Sequence, residues 1–548
     1  MIHIKRWTND VAMVFAAEEL QRLLSKADYE SKIVEKDTHI NSNESVIHLM
    51  CSSDYNEHVS PDQPVSIALD GHALIKSGNV TWLIGNEPRA VLYGVYEYAK
   101  KIHGYRWVDL KEEFVIDTKA SLNSWTHEPM FARRGNVLET INEPSYIVSL
   151  IDWGTKNGLN EFFFTFFLWE EVKDSITDEL IKRDLHVTLG GHSLSYLLGK
   201  VSTNHSDDNK RLKFFAEDTV LQEKVIDRIV AICMENRVVT RISLWPEDVG
   251  IDERQATDFL STYIAFTEKL KAEINKYRPE VKVEHIAYNA GLSWNMLERN
   301  TPVSDQVDTL YAYWGRDYTQ SIDAPHHERS FKALRDWRQS TGAVGTSLTV
   351  FEYYSDLFML TELFPPLWQR IKEDLIDYKQ LHVDGINNLI VPPLTKNILN
   401  AFNGEYPWKW IHHLNNYMFA RLTWGDDYSS ILKDYFYDVE NGEYYQTVIH
   451  DFEKITAGHT QWNVPLFPAR IVDPEKKKAS DVDAKSMIDW LQALIVYIDT
   501  LGLPASMDTS FEKEDIHQRE KRLNIYFHYL KKTAELTLKE WKSQQITK

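Results

Sequence analysis

The sequence predicts an α/β fold: a central (β/α)8 TIM barrel with an N-terminal α/β domain and a C-terminal all-helical domain. Three observations carry that expectation. Between residues 130 and 395, short apolar segments recur with amphipathic helical segments between them. Such alternation calls for parallel strands joined by helical crossovers, and eight units over about 260 residues match a closed barrel. Beyond Pro392-Pro393 the strand signal stops and only helical periodicity continues. The expected boundaries are 1–125, 126–400 and 401–548, in a 548-residue chain long enough for several domains and a large core.

In the first segment, residues 10–26 read as a helix, with Val14, Leu20, Leu23 and Leu24 among its apolar positions. Residues 46–50 and 81–84 read as strands. Asn86 is placed to cap a helix over 89–102 and Gly104 to end it, after which 106–109 returns as a strand. The barrel strands are expected at 133–138, 161–167, 185–189, 241–245, 281–288, 309–313, 347–351 and 386–391. Helices are expected between them at 145–157, 218–236, 256–276, 328–340 and 367–381. Segments 407–424, 427–458, 479–502 and 510–545 read as the terminal helices, with a proline- and lysine-bearing connection over 465–478.

Composition narrows the function classes. Lys and Arg number 61 against 81 Asp and Glu, a net charge of −20 that argues against nucleic acid or an anionic membrane as partner. Cys51 and Cys233 are the only cysteines, which gives no disulfide framework and no zinc-binding spacing, so no metal and no cofactor are expected. The first ten residues lack a signal-peptide apolar run, and the apolar stretch around 488–498 is interrupted and too short for a bilayer. A cytoplasmic, reducing location follows as the expectation, and a homodimer is compatible with such a chain. The 17 Trp, 27 Tyr and 23 Phe are mostly core, with some available to stack on sugar rings.

The chemistry is expected where barrel strands end. Arg241-Ile242-Ser243-Leu244-Trp245 runs through Pro246 into Glu247 and Asp248. Adjacent carboxylates there suit acid/base work on a bond needing both a proton donor and a charge stabiliser, such as a glycosidic bond. Alternation places Arg241, Ser243 and Trp245 inward, and if it persists, Glu247 inward and Asp248 away. A carboxylate at a helix start is the alternative reading, and it fits Asp248 better than Glu247. On the third strand, Thr188, Gly190 and His192 face inward, and two glycines before His192 let a ligand approach. On the first, Arg134, Asn136 and Leu138 face inward, so Arg134 either holds sugar hydroxyls or forms a buried ion pair. Tyr313, Trp314 and Arg316 after the sixth strand, and Glu352 and Tyr353 on the seventh, suit a carbohydrate pocket. If Leu348 and Val350 face outward, so does Glu352.

Several of these segments resemble known glycosidases. Gly85–Glu97 is similar to the end of the non-catalytic N-terminal domain shared by family 20 β-hexosaminidases and family 67 α-glucuronidases. Glu128-Pro129-Met130-Phe131-Ala132-Arg133-Arg134-Gly135 resembles the family 20 barrel entry, where the matching Arg134 would bind sugar hydroxyls. Residues 408–424 resemble the start of the family 67 helical domain. Gly190-Gly191-His192, Asp248 and Glu352-Tyr353-Tyr354 resemble a group that includes family 163 endo-β-N-acetylglucosaminidases. The family 20 Asp-Glu pair, which polarises the substrate acetamide and donates the proton, is reversed here as Glu247-Asp248, leaving the division of roles open.

Together these readings predict a glycoside hydrolase acting on an oligosaccharide or glycoside, with a β-linked N-acetylhexosamine implied by the resemblance. Catalysis is assigned to Glu247, Asp248 and Glu352. Substrate binding is assigned to Arg134, His192, Trp245, Tyr313, Trp314, Arg316 and Tyr353. The alternatives are an inverting α-glucuronidase-like hydrolase, with Arg134 or Arg316 on the uronate, and an inactive glycan-binding barrel.

Overall fold

The computed structural model describes residues 1–110, 113–116, 123–201, 214–215, 219–246, 259–289, 294–299, 301–360, 363–392, 408–459, 484–503 and 519–546. The leading strands are β1 (Ile2–Arg6), β2 (Ser31–Glu35), β3 (Ser45–Cys51), β4 (His72–Ser77), β5 (Val80–Gly85), β6 (Tyr105–Arg106), β7 (Phe114–Val115) and β8 (Trp125–His127). Six of them form one sheet in the order β2-β1-β3-β5-β4-β8, parallel except that β4 runs against both β5 and β8. Helices Val11–Lys26 and Pro88–His103 pack on each other and on this sheet through Leu20, Leu23, Leu24, Val91, Leu92 and Val95.

Local signals explain the helix ends. Asp10 caps the first helix by accepting from the Ala12 amide at 2.9 Å. At the second, the capping position belongs to Glu87 rather than to Asn86, because Pro88 occupies the first helical turn. Gly104 closes that helix in the left-handed region at φ 75°. The expected strand over 106–109 is shorter, since Tyr105–Arg106 alone pairs with β7.

Eight parallel strands close into a barrel in chain order, with β16 returning to β9. They are β9 (Arg133–Leu138), β10 (Glu161–Thr165), β11 (His186–Gly191), β12 (Val239–Leu244), β13 (Lys282–Tyr288), β14 (Asp308–Ala312), β15 (Leu348–Asp356) and β16 (Gly385–Val391). Helices flank the strands, including Phe166–Ile181, which begins one residue before the expected end of its strand. Thr165 starts that helix by accepting from the Leu168 amide.

Charged side chains fill the barrel's N-terminal floor. Arg133 donates to Glu161 and Glu284, and also to Thr349 at 3.2 Å. Arg241 donates to Glu284 at 3.2 Å and Asp308 at 2.6 Å, and Thr188 donates to Glu161. Burial works to raise the Glu161 carboxyl, but Arg133 overrides it and holds the group down to about 2. Asp308, opposed by the same burial, is held at about 2 by Arg241.

The helix Trp408–Trp424 packs on β15, β16 and the helix Trp368–Gln380. Its Asn416 bridges Asn136 of β9 and Asn388 of β16 at 2.8 and 3.1 Å. The continuous helix expected over 427–458 is divided into Tyr428–Tyr435 and Gly442–Thr456, because Asn441 adopts φ 59°. Helices Ala484–Thr500 and Arg519–Ile546 pack together beyond them.

Candidate functional site

Side-chain direction along each strand decides what reaches the barrel mouth. On β12, Arg241 joins the floor and Trp245 lies at the C-terminal end of the same inward row. On β11, Thr188 bonds Glu161 below while His192 meets Trp245 above, with ring centroids 5.2 Å apart. These rows follow the expected alternation. An aromatic chain then crosses the mouth: Phe163 to Trp245 at 5.2 Å, Trp245 to Phe351 at 5.3 Å, Phe351 to Tyr353 at 5.0 Å and Tyr353 to Trp314 at 5.0 Å. Trp245 is 2 % exposed, so it forms the floor of this mouth.

Backbone contacts fix the geometry where β11 and β12 end. Gly191 adopts φ 64° and its carbonyl accepts from the Trp245 amide at 3.1 Å. His192 Nδ1 donates to the Pro246 carbonyl at 3.1 Å, which ties the end of β11 to the residue preceding Glu247. Asn289 donates to the Trp314 carbonyl at 2.6 Å and accepts from its amide at 2.7 Å, joining the ends of β13 and β14.

Of the expected substrate-binding residues, the structure brings His192, Trp245, Trp314 and Tyr353 together at the mouth. Glu247 and Asp248 lie outside the described residues. Four others are placed elsewhere. Arg134 is on the opposite face of β9 from Arg133, fully buried, donating to Asp70 at 2.8 Å and to the Gly158 and Phe131 carbonyls. It serves the junction with the leading sheet and cannot reach the barrel interior. Tyr313 packs on Trp294 and His327, on the side of β14 where Tyr311 bonds Ser330.

Arg316 and Glu352 share a second buried network, between the strands and the helix layer. Arg316 donates to Asp374 of the helix Trp368–Gln380 at 2.6 Å. Glu352 accepts from Tyr318 at 2.9 Å and from Tyr378, with the Arg316 Nε 3.8 Å away. Burial raises the Glu352 carboxyl above its ordinary value, and the nearby Arg316 only partly opposes this. The outward direction follows from Val350 and Tyr354, which share the same face. A narrow cleft touches this network from the helix side, lined by Tyr311, Phe331 and Leu334 among others.

Sequence reasoning passed over Phe163, Phe351, Asn289 and Glu139 at the mouth. The run Phe162-Phe163-Phe164 is apolar on both faces and carries no phase to mark which ring points inward. Among the described residues no group of His, Cys, Asp and Glu is gathered to hold a metal ion, and no helix is long and apolar enough to cross a membrane.

Comparisons with known proteins extend this description. Residues 247–446 match a family described as a domain of unknown function, DUF4838. No curated protein matches the chain. Among solved structures, the chain is similar to a GH138 enzyme targeting pectin rhamnogalacturonan II, with TM-score 0.59 and 11% identity over 99% of this chain and 70% of that one. It is also similar to CpGH84D, with TM-score 0.53 and 11% identity over 97% and 90% of the two chains. CpGH84B gives TM-score 0.50 and 11% identity over 99% and 88%. These neighbours are glycoside hydrolases, and at this identity the likeness is one of fold.

Proposed function

We propose that the protein is a glycoside hydrolase that cleaves an oligosaccharide by carboxylate acid/base catalysis, with a β-linked N-acetylhexosamine as the favoured substrate. The observation that carries this reading is the aromatic mouth at the C-terminal end of a closed parallel barrel, with β12 leading through Trp245-Pro246 to the Glu247-Asp248 pair in the chain. A sugar ring presents an apolar face to such aromatics and hydroxyls to the polar groups around them. Glu247 is assigned proton donation to the leaving oxygen, and Asp248 the support of the oxocarbenium-like state or the orientation of a substrate acetamide. The likeness in fold to glycoside hydrolases supports the reaction class.

The geometry weighs against a uronate reading that uses Arg134 or Arg316, because Asp70 and Asp374 already take their guanidinium groups. The test is turnover on a panel of aryl N-acetylhexosaminides, aryl glucuronides and short glycans. Release of an aryl group or sugar from an N-acetylhexosaminide is expected. Glu247→Gln should then lower kcat by about 100-fold or more with an unchanged circular-dichroism spectrum. Sugar binding without turnover on any substrate would instead make the protein a glycan-binding barrel.

A further inference from the structure

Glu139, one residue beyond β9, belongs to no motif, yet the fold delivers it to the mouth. Arg133 points into the barrel, so alternation carries Gly135, Val137 and then Glu139 along the inward side. Its carboxylate lies against Gly191: a Cβ on that glycine would stand 3.3 Å from Glu139 Oε1, 3.1 Å from Thr165 Cγ2 and 3.8 Å from the Phe163 ring. The absence of a side chain at Gly191 therefore makes the room that Glu139 fills. The Glu139 carbonyl accepts from Thr165 Oγ1 at 2.8 Å, which fixes the backbone from which the carboxylate projects. Gly191 also accepts from the Trp245 amide, so the carboxylate lies beside the end of β11 and the start of the aromatic floor.

Other inward carboxylates lie deeper. Glu161 and Glu284 are fully buried beneath Arg133 and Arg241, and Asp356 is fully buried with its carboxylate accepting from the Met359 amide. Glu139 is half-buried at the height of the mouth with its Oε1 shielded from solvent, a setting in which a charge-assisted hydrogen bond counts. A carboxylate only accepts, and sugar hydroxyls donate.

We propose that Glu139 is a substrate-contacting, specificity-determining residue that accepts hydrogen bonds from ring hydroxyls of the sugar lying over the Phe163–Trp245 floor. The inference rests on the glycosidase reading of the mouth. It is tested with the glycoside that the wild-type protein hydrolyses best, its monodeoxy analogues, and Glu139→Gln and Glu139→Asp.

The expected result is a KM raised at least about tenfold in Glu139→Gln, with a smaller rise in Glu139→Asp and an unchanged melting temperature. The wild-type penalty for removing one particular hydroxyl should also shrink toward zero in Glu139→Gln, an interaction that a merely structural role would not produce. Wild-type KM in Glu139→Gln, or a loss that is the same for the parent sugar and every deoxy analogue, would overturn the proposal while leaving the glycosidase reading intact. A wild-type protein that turns over none of the glycosides removes the reading and this inference together.

Discussion

At Arg133 and Arg134 the chain sends two identical side chains to opposite faces of one strand. Arg133 enters the floor, and Arg134 leaves the barrel for Asp70. Every residue of β9 is buried, so hydrophobic alternation has no phase there, and the sequence alone could not say which arginine pointed inward. On β12, Arg241 and Ser243 alternate with Ile242 and Leu244, and the polar members revealed the inward row. Asp70 is wholly buried, and although burial opposes ionisation, Arg89 and Arg134 hold its carboxyl far below the ordinary range. Arg134→Met should therefore cost about 3–5 kcal/mol in chemical denaturation, since it leaves that charge undercompensated. A cost below about 1 kcal/mol would mean that Arg89 alone suffices. Glu352 offers the opposite case. Its carboxyl is raised by burial and lies in the helix-side network rather than at the mouth, so Glu352→Gln is expected to fold and to keep activity within a few-fold of wild type. A loss of about 100-fold with the fold retained would return Glu352 to the catalytic set.

Strands and helices were more legible than side-chain directions. Each expected barrel strand overlaps an observed one, because short apolar segments between amphipathic helices leave few alternatives. The division at Asn441-Gly442 was written in the sequence as a turn signal, but the helical periodicity on either side masked it. The end of β11 depends on close backbone approach, which composition does not display. A Cβ on Gly190 would collide with the Ser243 carbonyl of β12, a contact no rotamer can relieve. Gly190→Ala is accordingly expected to lower the thermal midpoint sharply or to yield insoluble protein, measured by differential scanning fluorimetry on the soluble fraction. Near-wild-type melting would show that β11 and β12 can separate without penalty. The same proximity brings Glu139, His192 and Trp245 together, which is why the candidate site was only partly visible before the strands were paired.

For the molecule as a whole, buried histidines set the acid response. Burial depresses His72 to about 3, His285 to about 4 and His412 to about 3, so all three are neutral in the fold. The unfolded chain takes up protons at these positions below about pH 6.5, and the stability held above that pH is lost as pH falls toward 4. Glu161 and Asp308, depressed to about 2, add a second loss between their ordinary values and about pH 2. Glu453 acts in reverse: burial raises it to about 7, so its contribution is complete below its ordinary 4.5 and disappears as pH rises through 7. The histidines outnumber it, and the denaturation midpoint in urea should fall between pH 7 and pH 5. A flat midpoint across that interval would contradict neutral burial of the three rings.

Asp70 lies at φ 60° just before β4, and it is claimed by Arg89 from the helix Pro88–His103, by Arg134 from the first barrel strand and by Asn160 at 2.6 Å. One acidic side chain thus closes a circuit between two stretches of chain that a genetic engineer would be tempted to cut apart. Expressed from residue 126 onward, the barrel would carry an arginine sealed among carbonyls with its counter-ion missing. The barrel is not a portable cassette, and a chimera that replaces the leading sheet must bring an acid to the same spot.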